Sequence, residues 1–117
     1  MSRLDEADKK LKLSDFLLSR PGAEDYLPAI ISHILKAANL VVAEHFKLDD
    51  KSKVSPLLIQ KQLETSDSQQ EKEFSNYFLE LWKMSARPRY SKREVLDAYK
   101  KTKAFINWVK LEKEKLI

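Results

Sequence analysis

Glycine is almost absent from this chain, and this constrains the fold more than any other feature. The 117 residues contain 1 glycine and 4 prolines, so few positions favour turns. Sheets joined by many short loops need such residues, whereas long helices do not. Because 43% of the residues are hydrophobic, the chain can also bury a core. We therefore predict one all-α domain over residues 1–117, an up-and-down bundle of four main helices plus one short helix.

Apolar spacing and capping signals set the predicted bounds of these helices. The bounds are about Ser2–Ser19, Asp25–Phe46 and Ser55–Glu64, then a fourth helix from the break at 65–68 to Ala86 and a fifth starting at Ser91. Ser2 and Ser55 are candidate N-caps, and Pro28 suits a first helical turn. Ser91 and Glu94 have the spacing of a capping box. The charged segment 110–117 is expected to project past the bundle.

Two apolar features predict a homodimer. The second helix is apolar around so much of its circumference that it is either central to the bundle or half-buried in a dimer. Trp108 lies off the line of inward residues on the fifth helix, so it flanks the core or belongs to a subunit interface.

Composition limits the cellular setting and the chemistry. Cysteine is absent, which excludes disulfides and thiolate sites and favours an intracellular protein. We find no signal-like N-terminus and no apolar run near the roughly 20 residues that span a bilayer, and predict a cytoplasmic protein that uses no membrane. A net charge of +4 permits contact with nucleic acid, and abundant Lys and Glu are also typical of thermophiles.

The residues for catalysis or metal binding are sparse. The 2 histidines, His33 and His45, are about 18 Å apart along one helix, too far to hold one metal ion. There is no glycine-rich phosphate loop and no nucleophile motif. The aromatic residues Phe74, Tyr77, Phe78 and Trp82 have helical spacing and are expected in the core. We expect no cofactor and no metal.

The basic segment between the last two helices is the candidate site. Arg87, Arg89, Lys92 and Arg93 fall close together around Tyr90, beside the start of a capped helix. Such a loop is either a solvated connection or an anion site in which guanidinium groups and the helix N-terminus meet a phosphate. We take these five residues as the predicted anion-binding or RNA-binding site.

The layout resembles the HEPN family of small all-α bundles, found in prokaryotic toxin–antitoxin and nucleotidyltransferase-linked systems. The likeness rests on the Ala-rich helix 29–46, an aromatic helix ending in Arg87-Pro-Arg-Tyr90, and a last helix capped at Ser91. It implies a homodimer and a role in engaging RNA or a nucleotidyltransferase partner.

Active HEPN members carry an arginine followed four to six residues later by a histidine, which they use to cleave RNA. No arginine of this chain has a histidine at that distance. The resemblance therefore predicts a non-catalytic binding module acting through loop 87–93. The alternative is a metal-independent, toxin-like ribonuclease in which His33 or His45 reaches Arg87 in space.

Overall fold

The computed structural model describes residues 3–47, 55–87 and 89–115, and within these ranges the chain forms helices and no β-strand. The helices are α1 (Arg3–Leu18), α2 (Leu27–His45), α3 (Pro56–Thr65), α4 (Gln69–Ser85) and α5 (Lys92–Lys115). A short 3₁₀ turn, Ala23–Tyr26, precedes α2. The predicted all-α bundle of four main helices and a short one is confirmed.

Local capping explains most helix ends. The Ser55 hydroxyl accepts from the Leu58 N–H at 3.2 Å, and Pro28 lies in the first turn of α2 as predicted. The chain turns between α1 and α2 at Gly22, whose φ of 80° favours glycine. The predicted start of the second helix was early, because 23–26 is a 3₁₀ turn. The proposed cap Ser2 lies outside the described residues.

Contacts between helix ends show that the helix directions alternate. These contacts are Arg3 with Ala43, His45 with Glu71, and Lys92 with Glu24. The first joins the start of α1 to the end of α2, and the second joins the end of α2 to the start of α4. The third joins the start of α5 to the turn just before α2. The four long helices therefore run up, down, up and down.

Helix α2 is the centre of the core. It packs against α1, α4 and α5, and its buried residues are Leu27, Ile30, Ile31, Ile34, Ala37, Ala38, Leu40, Val41, Val42 and Ala43. Its wide apolar face is thus covered within one protomer. That face therefore does not call for a second subunit.

The stretch Ala23–His45 is long and apolar enough to cross a membrane by length and composition alone. The expectation that no segment approaches this length was therefore wrong. The most apolar 18-residue part of this stretch is 56% buried inside the bundle, as befits the central helix of the fold.

The last helix follows the bundle instead of projecting beyond it. Lys110 forms an ion pair with Asp8 of α1, and Lys113 forms one with Glu44 of α2. The expected projection of segment 110–117 is therefore wrong as far as residue 113, and residues 116–117 lie outside the described ranges.

Candidate functional site

The predicted site lies at the end of the bundle where α4 passes into α5. The last turn of α4 is closed by the Arg87 N–H, which donates to the Met84 carbonyl at 3.0 Å. Lys92 begins α5. The connection is short, so its cations are held close to the N-terminus of α5.

A capping box forms at this N-terminus as predicted. The Glu94 N–H donates to the Ser91 hydroxyl at 3.1 Å, and the Ser91 N–H donates back to the Glu94 carboxylate at 3.1 Å. The Arg87 guanidinium donates to the same carboxylate. The Ser91 N–H and then Arg87 lower the pKa of Glu94 below its ordinary value.

This geometry changes the predicted anion site in two ways. The Glu94 carboxylate already occupies the position at the start of α5 where an external anion would be favoured. It also neutralises Arg87, which is therefore a capping partner and not a free cation. The N-terminus of α5 and the Arg87 guanidinium are therefore both poorly placed to receive a phosphate.

The other cations of the loop face solvent. Arg89 and Arg93 are exposed, and neither makes an ion pair with a described residue. Lys92 is exposed as well and lies 3.8 Å from the Glu24 carboxylate, a loose contact. Tyr90 is half-buried against the core, and burial raises its pKa. The exposed cations of the site that no close carboxylate engages are therefore Arg89 and Arg93, with Lys92 only loosely paired.

His45 does not approach this loop within one protomer, and His33 faces α1. His45 lies at the end of α2 next to Glu71, whereas Lys92 lies beside Glu24 at the start of α2. Those two ends are about 30 Å apart at 1.5 Å per residue. His33 lines a surface depression with residues of α1. Burial, followed by nearby Lys36 and Lys10, lowers its pKa.

His45 belongs to a closed aromatic cluster at the opposite end of the bundle. Its Nε2 lies 3.0 Å from a Glu71 carboxylate oxygen. Its ring lies 4.9 Å from that of Trp108, which is also 5.3 Å from Phe74. Of the two positions predicted for Trp108, the structure shows the first, because its ring flanks the core. The homodimer stays a prediction, but both features that suggested it are satisfied within one protomer.

A groove between α4 and α5 was not anticipated from the sequence. Two adjoining cavities of about 350 and about 370 Å³ share Tyr77, Glu80 and Lys101 as lining residues. The Tyr77 hydroxyl donates to the Ala98 carbonyl at 2.7 Å and contacts the Thr102 hydroxyl. Burial raises the pKa of Tyr77, so this phenol stays neutral and structural. Helical spacing placed Tyr77 inward but gave no signal that the two helices leave a gap.

No group of three or more metal-ligating side chains occurs in the part of the chain that the structure describes. No family model, no curated protein and no solved structure matches the chain.

Proposed function

We propose that this protein is a non-catalytic, HEPN-like binding module that engages RNA through Arg89, Lys92 and Arg93. The observation that carries the proposal is the pair of exposed guanidinium groups, Arg89 and Arg93, which no described carboxylate neutralises. Guanidinium groups bind phosphate in a bidentate manner and are weakly hydrated. Clustered at the end of a rigid bundle, they suit contact with a phosphate backbone.

The position of the histidines supports a binding role over the ribonuclease alternative. A general base must lie within hydrogen-bond reach of the group that it deprotonates. In one protomer His45 is held by Glu71 at the far end of the bundle, and His33 lies on the α1 side of α2. Arg87 is itself engaged by Glu94.

The test is the salt dependence of RNA binding by the variant Arg89→Ala/Arg93→Ala. Affinity for a labelled single-stranded RNA of mixed sequence is measured by fluorescence anisotropy over a series of KCl concentrations. Each lost phosphate contact lowers the log–log salt slope by about 0.7, so the double variant should lose roughly 1.4. Stability should change by only about 0–1 kcal/mol, because both side chains are exposed.

Two controls separate charge from structure. Lys100→Ala/Lys103→Ala removes the same charge from exposed positions further along α5 and should leave the slope nearly unchanged. Ser91→Ala removes a cap and should cost about 1 kcal/mol of stability with RNA affinity retained. The proposal is overturned if wild-type protein does not bind RNA, or if the arginine variant melts early yet binds as wild type does. In the first case, the nucleotidyltransferase partner becomes the leading expectation for the loop.

A further inference from the structure

Helix α1 has a second stripe of side chains on the face turned away from the core. Its buried residues are Leu4, Ala7, Leu11, Ser14 and Leu18. At about 100° per residue, a different set shares the opposite side. We name this set the outer stripe, and its members are Glu6, Lys9, Lys10, Leu13 and Phe16 on α1, with Arg20 in the turn two residues beyond the end of the helix. Leu13 is 41% exposed and Phe16 is 54% exposed, so two large apolar side chains stand one turn apart in solvent.

A depression lies on the same stripe, toward the start of α1. It has a volume of about 290 Å³ and is lined by Glu6, Lys9, Lys10, Leu13 and His33. The Nδ1 atom of His33 is buried and has no hydrogen-bond partner among the described residues. Phe16 projects just beyond one side of Leu13, and the depression lies on the other side. The projecting Phe16 side chain and the depression therefore lie on opposite sides of Leu13.

The charges of the outer stripe have the same arrangement. Glu6 precedes Leu13 by seven residues, and Arg20 follows it by seven. None of the ion pairs between described residues involves the Glu6 carboxylate or the Arg20 guanidinium. The guanidinium instead lies 5.2 Å from the Phe16 ring centre. An acid and a base, neither of them in an ion pair between described residues, thus stand seven residues before and seven residues after Leu13.

We propose that α1 packs antiparallel against α1 of a second copy of this chain, about a two-fold axis at Leu13. In such a pair, positions equally far before and after Leu13 face each other. Glu6 then faces the partner's Arg20, and Leu13 meets the partner's Leu13. Phe16 enters the partner's depression, where Lys9 and Lys10 provide cation–π contacts. The two charges and the two shapes are each placed on opposite sides of Leu13, so both become complementary about the same two-fold axis. A self-complementary interface between two identical subunits has this property.

The size of this interface predicts a reversible dimer. One helix pair buries less than the roughly 1,200 Å² of a standard stable complex, so association should require at least micromolar protein. The end of α1 lies at the same end of the bundle as loop 87–93. Antiparallel α1 helices therefore place the two loops at opposite ends of the dimer, and this inference does not depend on RNA binding.

Sedimentation velocity over a wide range of protein concentration tests the apolar part of the interface. Wild-type protein should pass from monomer to dimer as its concentration rises. Phe16→Ala should weaken the dimer about ten-fold or more, since the loss at each of two sites adds. Leu57→Ala is the matched control, because Leu57 is 65% exposed on α3 and lies outside the stripe. It should leave the dimer unchanged.

Charge reversal tests the register. Glu6→Arg alone sets arginine against the partner's Arg20 twice, and Arg20→Glu alone sets glutamate against the partner's Glu6 twice. Each variant alone should dimerise about ten-fold more weakly or worse. An equimolar mixture of the two variants should recover a heterodimer, because both facing pairs are then attractive. Only a contact between position 6 of one copy and position 20 of the other predicts that recovery.

Melting temperatures of each variant establish that loss of the dimer is not loss of the fold. The Glu6→Arg variant adds a positive charge beside Lys9 and Lys10 and could unfold for that reason. In that case, an equimolar mixture of Glu6→Gln and Arg20→Gln takes the place of the charge-reversal mixture. That mixture retains one native pair and should dimerise better than either variant alone. A wild-type chain that stays monomeric at the highest concentration, or a mixture no tighter than its components, overturns the proposal.

Discussion

The starts of α4 and α5 have the same local sequence pattern but different tertiary roles. Each begins with a serine followed three residues later by a glutamate, Ser68 with Glu71 and Ser91 with Glu94. In both, the serine hydroxyl accepts the glutamate N–H, at 3.3 Å in α4 and 3.1 Å in α5. Glu94 then turns back to the Ser91 N–H, as a capping box requires. Glu71 instead turns to His45 on α2.

Neighbouring groups explain the difference. The N–H of Ser68 is taken by the Ser66 hydroxyl at 3.2 Å, so Glu71 is not needed for the cap. The Glu71 carboxylate therefore joins two elements distant in sequence. Among the described residues, the cation that pairs with Glu94 is Arg87, which comes from the connection just before α5. One glutamate stabilises the tertiary fold and the other stabilises a local turn, so their substitutions should have different effects.

The largest expected effect on the free energy of unfolding comes from removing an aromatic ring that packs in the cluster around His45. Phe105 is buried, and its ring stacks on that of Phe74 at 4.8 Å. Phe105→Ala should cost about 3–5 kcal/mol, since it removes a buried ring and leaves a cavity. Urea denaturation followed by circular dichroism measures this loss.

Leu111→Ala is the control for that variant. Leu111 lies on the same helix but is exposed, so its truncation should change stability by no more than about 0.5 kcal/mol. Equal losses for the two variants would show that the His45 end of the bundle is not tightly packed. The contrast between the two helix starts would then lose its physical basis.

A smaller effect should separate the two glutamates themselves. A double-mutant cycle with His45→Ala and Glu71→Ala should give a coupling of about 1 kcal/mol, because both side chains are half-buried and hydrogen-bonded. The corresponding cycle with Arg87→Ala and Glu94→Ala should give a smaller coupling that disappears in high salt. A larger or salt-resistant coupling at Arg87–Glu94 would reverse the comparison.

The helix bounds were predictable because they depend on local chemistry. Ser55, Pro28 and the Ser91–Glu94 box act within a few residues, and sequence spacing shows them directly. The partner of Glu71 was not predictable, because His45 comes from another helix. The local sequence around Glu71, with a serine three residues earlier, is also the same as that around Glu94. The position of Trp108 was left between two alternatives for the same reason, since its partners come from α2 and α4.

The candidate site shows the same limit. Sequence placed Arg87, Arg89, Lys92 and Arg93 close together, and the structure has Arg87 and Arg89 in the connection and Lys92 and Arg93 in the first turn of α5. Sequence gave no means of assigning Arg87 to Glu94, because a capping glutamate and a nearby arginine need not meet. The groove between α4 and α5 was equally hidden, since periodicity shows which face is apolar but not how closely two helices approach.

The smallest expected effect is the acid response of Glu94. Its pKa is lowered in the folded state below the ordinary 4.5, so the unfolded chain binds this proton more readily. The stabilisation is therefore fully present above the unfolded value and is lost as the pH falls through the folded pKa. Wild type and Glu94→Gln should differ in unfolding free energy at neutral pH and converge in acid. Urea denaturation at a series of pH values measures this difference, and the exposed Glu64→Gln variant is a control that should show no such convergence.

A difference between wild type and Glu94→Gln that stays constant across the acid range would mean that the ionised carboxylate adds nothing to the cap. Arg87 would then be a free cation like Arg89 and Arg93.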